Sequence, residues 1–433
     1  MTEKPDSPPA PWRAIPQDAS CADAREVGRR TFGPFLVAFC RWLRMRAPET
    51  AALLFLSRDS DLILAVWRLL FPHSNASYFL MSRAAAALAM LDGPDSVAAL
   101  ADGAPRGQSV ADVLRRRLRL AAGEAETLCG PAAAATLARS RRGAALLRAG
   151  APALLSAAEA HRRGLCRAFE EAAGACAEAV VVDIGYRGIA QQTLARVLKR
   201  PVGGRYVLTH RASRVTADQA GSVIAFAGAR LHPADFRSTL NRSRFVLETV
   251  LSAETGSFLR WDADGRPRFA RYEEPESSRR IRRAIRCGAL DHARAAAQTG
   301  APGDATALIR FLEIPDPRLV ASMADLVFDG GAEDLETPLL CADPATRPSA
   351  YALWIEGQAA LDRSATAAPS EGVGAALLRQ VPEAILRRTA PAVDRLQIAT
   401  NAALYLRSNR DALLSPFRAL ERIVPADHRR GSK

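Results

Sequence analysis

Residues 177–200 read AEAVVVDIGYRGIAQQTLARVLKR, and this stretch decides the fold class. Ala179–Val182 is a short, unbroken apolar run rich in valine, the composition of a strand buried on both faces. Asp183 ends the run, Gly185 and Gly188 permit a tight turn, and the residues after the turn carry helical periodicity. A strand, a glycine turn and a helix in that order form one unit of a parallel sheet. Two earlier stretches repeat the pattern. AALLFLSRDSDLILAVWRLLF (51–71) and ASYFLMSRAAAALAML (76–91) each run from apolar strand through a polar turn into an amphipathic helix. GRYVLTH (204–210) and GSVIAFAG (221–228) add two strand candidates. The expected fold is α/β, with a doubly wound, mainly parallel sheet.

Outside these units the character changes. Residues 1–27 form a Pro-rich leader expected to be disordered, and 34–45 predict a helix that Pro34 opens. Residues 28–275 form the α/β core. Within it, about 93–177 are rich in Ala, Leu and Arg and predict a helical insert. SFLRWDADGRPRFARY (257–272) predicts a hairpin turning at Asp264-Gly265. The region 276–433 is expected to be helical. Trp42, Trp67 and Trp354 sit among apolar neighbours and are expected in the core.

Composition narrows the function classes. The chain of 433 residues is 48% hydrophobic, which excludes wholesale disorder. Its net charge of +13 is carried by arginine, since lysine occurs only at Lys4, Lys199 and Lys433. Such a field attracts phosphates, nucleic acid or anionic lipid. For nucleic acid there are few aromatics to stack on bases and one dense basic strip, SSRRIRRAIR (277–286), which reads as a solvated helix face. No nucleic-acid partner is therefore expected. The seven cysteines are scattered, without a C-x-x-C pair, which argues against a disulfide framework or a zinc site. No signal peptide opens the chain and no apolar run approaches the ~18 residues that span a bilayer. The expected location is cytoplasmic, with peripheral contact at the inner face of the membrane.

Parallel sheets bind ligands at the carboxyl ends of their strands, so three loops carry the chemistry. In DIGYRG, Asp183 precedes a turn whose Gly185 and Gly188 lead into unpaired helix N-terminal amides, with Arg187 adding charge. This suits a sugar phosphate, acid on the ribose hydroxyls and amides on the phosphate. An ordinary turn in which Asp183 caps the helix is equally compatible. In SRDSD, Arg58 has the planar fork that suits pyrophosphate, while Asp59 and Asp61 offer carboxylates for Mg²⁺ or for a proton. Ser82 and Arg83, in the loop after the second strand, offer a further phosphate contact. Arg244 and Glu248 stand one helical turn apart, the spacing of a surface ion pair.

FLSRDSDLI, then YFLMSRAA, then VVVDIGYRGIAQQTL resembles a module that usually reads FLARDG, SR and DIGWxGxxQ. It occurs in bacterial polysaccharide-synthesis proteins, commonly behind a phosphatase domain of the haloacid dehalogenase superfamily. LETVLSAETGSF and LWIEGQAAL are similar to its later stretches, so the resemblance spans roughly residues 33 to 360. The module resembles a phosphoribosyltransferase. This resemblance implies transfer of ribofuranose 5-phosphate from phosphoribosyl pyrophosphate to a glycan or lipid-linked acceptor, with a separate phosphatase removing the phosphate. By the same resemblance Arg58 and Asp59 fall in the pyrophosphate loop; Asp59 is the candidate base or Mg²⁺-shell residue. Asp183, Gly185, Tyr186, Arg187, Gly188 and Gln191 fall in the ribose-phosphate loop. Three departures stand out: RDSD replaces RDG, Tyr186 replaces Trp, and Asp183 is the single acid of its loop. Two alternatives remain open. One is a haloacid-dehalogenase-type phosphatase with Asp59 as nucleophile and Asp61 as acid/base. The other is a non-catalytic binding module.

Overall fold

A computed structural model describes residues 21–210, apart from 103, 106, 122, 175 and 177, together with 222–231, 238–329, 336–341 and 352–365. Contacts divide these residues into two compact units. The first holds the chain up to Leu80, Ala168–Ser257 and the residues from Arg271 on; the second holds Met81–Arg167 and Phe258–Ala270.

The first unit is built on a five-stranded, all-parallel sheet: β1 (Ala52–Leu56), β2 (Ala76–Phe79), β3 (Ala179–Asp183), β4 (Gly203–His210) and β5 (Val223–Leu231). Its order is β2-β1-β3-β4-β5. All of β1 is buried and β3 is buried up to Val182, which is why both read as continuous apolar runs rather than alternating ones. The sheet and its many helices bear out the α/β class. The direction in which strands are added reverses between β1 and β3: β2 lies on one side of β1, and β3, β4 and β5 step away on the other. In parallel sheets of this kind, ligands commonly bind near the loops that leave the strands on either side of such a reversal.

Helices Gly33–Arg46, Asp61–Leu70 and Glu276–Thr299 pack against one another in this unit. Phe35, Phe39 and Trp42 of the first meet Phe226 of β5, with ring centroids 5.4–5.7 Å apart. Trp67 and Trp354 are 1% exposed, as core tryptophans are. A second contact depends on glycine. A Cβ at Gly28 would lie 1.8 Å from the Ile285 carbonyl oxygen, and one at Gly288 would lie 1.9 Å from that of Arg25. Two backbones touch there, so neither position admits a side chain without moving the helices apart.

In the second unit, helices between Arg83 and Arg167 enclose a core that includes Leu88, Val97, Val110, Leu114 and Leu147. The antiparallel hairpin β6 (Phe258–Trp261) and β7 (Pro267–Phe269) belongs to the same unit, with Gly265 at φ +74° in its turn. The hairpin is anchored by Trp261, which lies on Gly164, and by the Trp261 amide, which donates to His161 Nδ1 at 3.1 Å.

Three expectations about organisation change. The helical insert is not confined to about 93–177 but starts by Arg83 and takes in the hairpin. The leader expected over 1–27 is helical from Ala22 to Val27, because Ala24 and Val27 bury against the Glu276–Thr299 helix; residues 1–20 lie outside the described ones. The region from 276 on is not wholly helical, for β8 (Val327–Asp329) and β9 (Glu336–Pro338) pair antiparallel. Residues 366–433 lie outside the described ones. No helix among the described residues is long and apolar enough to cross a membrane.

Candidate functional site

The loops that leave β1 and β3 flank the reversal point of the first unit's sheet. After β1, the Ser57 amide donates to Phe79 O at 2.9 Å, which carries the β1–β2 pairing one residue beyond the strand. Ser60 is the N-cap residue of helix Asp61–Leu70, but its hydroxyl donates to Val182 O at 2.9 Å and thereby ties the loop to β3. These bonds hold Arg58 and Asp59 at the crevice. The Arg58 guanidinium meets the Asp329 carboxylate and donates to the Asp329 carbonyl at 2.8 Å. Burial alone would lower the Arg58 pKa, but the carboxylates of Asp329 and Asp59 hold it above its ordinary value.

Asp59 is held by the segment after helix Arg244–Leu251. Ser252 Oγ donates to Asp59 Oδ1 at 2.6 Å, and the Ala253 amide donates to Arg58 O at 2.9 Å. Ser252 is itself fixed through its carbonyl, which accepts from Arg286 Nη1 at 2.8 Å and from Arg282 Nη1 at 3.0 Å. Arg286 also donates to the carbonyls of Val250 and Leu251, at 3.2 Å each, and pairs with the Asp61 carboxylate. Arg282 donates to Glu274 Oε2 and to Tyr272 Oη, both at 2.6 Å, and Tyr272 in turn donates to Glu274 at 2.7 Å. Beside them, the Glu254 carboxyl is raised by burial, but a bidentate Arg283 and the charges of Arg282 and Arg286 bring it below the usual carboxylate range.

After β3, Gly185 has φ +151°, and a Cβ there would lie 2.3 Å from Leu208 O, so the turn demands glycine. Gly188 stands at φ +65° as N-cap of helix Ile189–Leu198, which has no side-chain cap. Between them Tyr186 stacks on His210, centroids 4.9 Å apart, and donates to Glu248 at 2.7 Å. Burial, then the Glu248 charge, keeps the Tyr186 hydroxyl protonated far above its ordinary pKa. Arg187 is exposed on the same loop. Asp183 accepts from the Ile184 amide at 2.8 Å.

The crevice therefore gathers Arg58, Asp59, Glu248, Ser252, Arg282 and Asp329. The pocket that Arg58, Glu248, Ser252, Arg282 and Asp329 help to line has about 20 Å³ of free space, enough for a water molecule but not for a sugar phosphate. Asp329 occupies the Arg58 guanidinium. Among the described residues no group of three His, Cys, Asp or Glu side chains is suited to hold a metal ion. Asp59 offers one carboxylate, so Mg²⁺ would need its remaining ligands from substrate phosphates and water.

Several sequence expectations take a different form. Gln191 is buried, donating to Val202 O at 2.7 Å and accepting from Tyr206 Oη at 2.9 Å; it is internal support, not part of the loop surface. Ser82 caps helix Arg83–Ala89, accepting from the Ala85 amide at 3.1 Å, while Arg83 is exposed; both belong to the second unit. Asp61 is engaged by Arg286. Arg244 is not a surface residue but 9% exposed, and Glu248 faces Tyr186. SSRRIRRAIR is not a solvated face throughout: Arg282 and Arg286 are 2% and 1% exposed. Their signal was their phase, since 282 and 286 fall on the stripe that carries Ile285, Ala289 and Ala293. Ser252, Tyr272, Glu274 and Asp329 carried no such mark. Comparison with protein-family models and with curated proteins yields no match for the chain.

Proposed function

We propose that the first unit is a phosphoribosyltransferase-type glycosyltransferase, with a doubly wound core of that kind, which moves ribofuranose 5-phosphate from phosphoribosyl pyrophosphate to a glycan acceptor. The observation that carries this reading is the placement of Arg58 and Asp59, on one side, and the Gly185–Gly188 turn, on the other, at the β1/β3 reversal point. Arg58 takes the pyrophosphate oxygens that Asp329 now mimics. The turn and the uncapped amides at the start of helix Ile189–Leu198 take the 5-phosphate, helped by Arg187. Asp183 faces the ribose hydroxyls. Asp59, fixed by Ser252, accepts the acceptor's proton. Asp59 would be the residue nearest to hold Mg²⁺, which would supply neutralisation of leaving-group charge; positioning and electrostatics by the chain's own residues do the rest.

The acceptor would be a glycan of surface polysaccharide synthesis, lipid-linked and met at the inner membrane face, with a separate phosphatase completing the sequence. A phosphatase reading of this chain needs Asp61 as a free acid/base, and the Arg286 ion pair counts against that role. Purified protein incubated with phosphoribosyl pyrophosphate, Mg²⁺ and glycan acceptors should release pyrophosphate. Arg58→Ala should weaken donor binding about 10- to 100-fold, the worth of a charge-assisted contact. Absence of donor binding in calorimetry overturns the proposal.

A further inference from the structure

Asp329 ends β8 and sets two oxygens on the Arg58 guanidinium fork, its carboxylate on Nη1 and its main-chain carbonyl on Nη2 at 2.8 Å. Two oxygens of one group on one guanidinium is also how a phosphate binds arginine. Val327, Phe328 and Asp329 line the same pocket as Arg58 and Ser252, and about 20 Å³ stays free in it. Two cations stand in its described lining, Arg58 and Arg282, and they are held differently. Arg282 donates to Glu274 at 2.6 Å, with both side chains sealed from solvent. Arg58 is shielded too, but the Asp329 side chain is 32% exposed, against 6% for Glu274. The Asp329 carboxylate can therefore pass into water without stranding a buried negative charge, which the Glu274 carboxylate cannot do. The mounting of Asp329 favours the same exchange. β8 and β9 are three residues each and, among the described residues, form a sheet of their own; a two-stranded ribbon is marginal by itself. β8 is anchored just before Asp329, where the Val327 amide donates to Ser278 Oγ at 3.2 Å and the Phe328 ring packs on Phe245, centroids 4.8 Å apart.

We propose that Asp329 is an autoinhibitory carboxylate, which fills the anion position on Arg58 in the free protein and yields it to an incoming pyrophosphate group. This rests on the proposed function in taking Arg58 as the residue that meets pyrophosphate. One anion replaces another, so the shielded guanidinium keeps a counter-charge both before and after the exchange. The cost falls on affinity, because the ligand binds against a competitor that the chain itself supplies. A competitor that holds the position nine-tenths of the time lowers apparent affinity about tenfold. Asparagine at 329 keeps the size of the side chain and the carbonyl contact but removes the charge, so the competitor is weakened while the strand is left in place.

The test is calorimetry with inorganic pyrophosphate, and separately with phosphoribosyl pyrophosphate, on the full chain at one ionic strength. Asp329→Asn should bind pyrophosphate about tenfold more tightly than the wild type. Adding Arg58→Ala to it should abolish the gain. Asp325→Asn, which removes the same charge from an exposed position four residues earlier, should stay within about twofold of the wild type. A second measurement needs no substitution: in hydrogen exchange of the wild type, pyrophosphate should speed exchange severalfold over Val327–Asp329 as the strand end is released. Equal pyrophosphate affinity in the wild type and Asp329→Asn, with both weakened by Arg58→Ala, overturns the inhibitory contact and leaves Arg58 as an anion-binding residue. An equal gain from Asp325→Asn, a gain that survives Arg58→Ala, or unchanged exchange over Val327–Asp329 also overturns it. Pyrophosphate binding that Asp329→Asn strengthens, with no binding of phosphoribosyl pyrophosphate, supports the contact and refutes the donor assignment. No binding of pyrophosphate by any of the proteins overturns both.

Discussion

Replacing Arg286 by methionine removes the group that organises the crevice from below. Arg286 is 1% exposed and Asp61, its partner, 20%. The guanidinium also serves three consecutive carbonyls, of Val250, Leu251 and Ser252, at 3.2, 3.2 and 2.8 Å. Methionine is unbranched, of similar length and a good helix former, so neither cavity nor propensity dominates the loss. The variant keeps a largely buried carboxylate without its counter-charge, together with carbonyls that have lost their donor. Breaking one side of such a pair costs about 3–5 kcal/mol. Urea denaturation followed by tryptophan fluorescence reads this loss, since Trp67 and Trp354 are buried in the same unit. Adding Asp61→Asn should recover about 1–3 kcal/mol, because the orphan charge is then gone. Ser252 would also lose a hold on its carbonyl, so Asp59 would be less well placed and transfer slower. A single-variant loss below about 1 kcal/mol, or a double variant that costs the full sum of the two singles, refutes the ion pair as the organising element.

Acid should weaken the second unit through His161. Its Nδ1 accepts from the Trp261 amide and its Nε2 donates to Ala85 O at 3.0 Å, so the ring is held neutral; burial, foremost, lowers its pKa from 6.5 to about 4. The folded value lies below the unfolded one, so this stability is complete above pH 6.5 and is lost as pH falls from 6.5 towards 4, by about 3 kcal/mol. His161→Gln should flatten that slope in denaturation curves; an unchanged slope rejects the assignment. Gly185→Ala places a side chain at φ +151° and against Leu208 O, and should cost on the order of 3 kcal/mol while abolishing donor binding; a variant that melts and binds like the wild type contradicts the turn. Gly28→Ala must push the Gly28 backbone away from the Glu276–Thr299 helix. A loss of about 3 kcal/mol is expected in urea, and a neutral substitution would mean that the two backbones do not touch.

The strands that flank the site were legible because burial on both faces leaves a mark on consecutive residues. Ala52–Leu56 and Ala179–Val182 are such runs, and the loops RDSD and DIGYRG at their ends are local departures from that pattern. The need for glycine at 185 was legible as a turn, although its physical cause, the Leu208 carbonyl, lies on another strand. Gln191 was misplaced because its side chain bonds Val202 and Tyr206, partners that lie beyond its own loop and helix and that the local motif does not show. SSRRIRRAIR was misread for a related reason. A helix bearing many arginines looks solvated until it is known which stripe is packed, and here Arg282 and Arg286 share a stripe with Ile285 and Ala289.

The sequence by itself determined that the chain builds a sheet of buried parallel strands, and that Arg58, Asp59 and Asp183 stand where such strands end. These features depend on residues within a few positions of one another, so composition and period reveal them. Only the tertiary structure decided what those groups meet. Asp329 reaches Arg58 across 271 residues, Ser252 reaches Asp59 across 193 and Arg286 reaches Asp61 across 225. It also decided that the Tyr78 hydroxyl, on a strand whose apolar pattern gave it no prominence, is closed off from water. Contacts between residues so far apart in the chain depend on strand order and on the packed stripe of each helix, neither of which is written in any local stretch of residues.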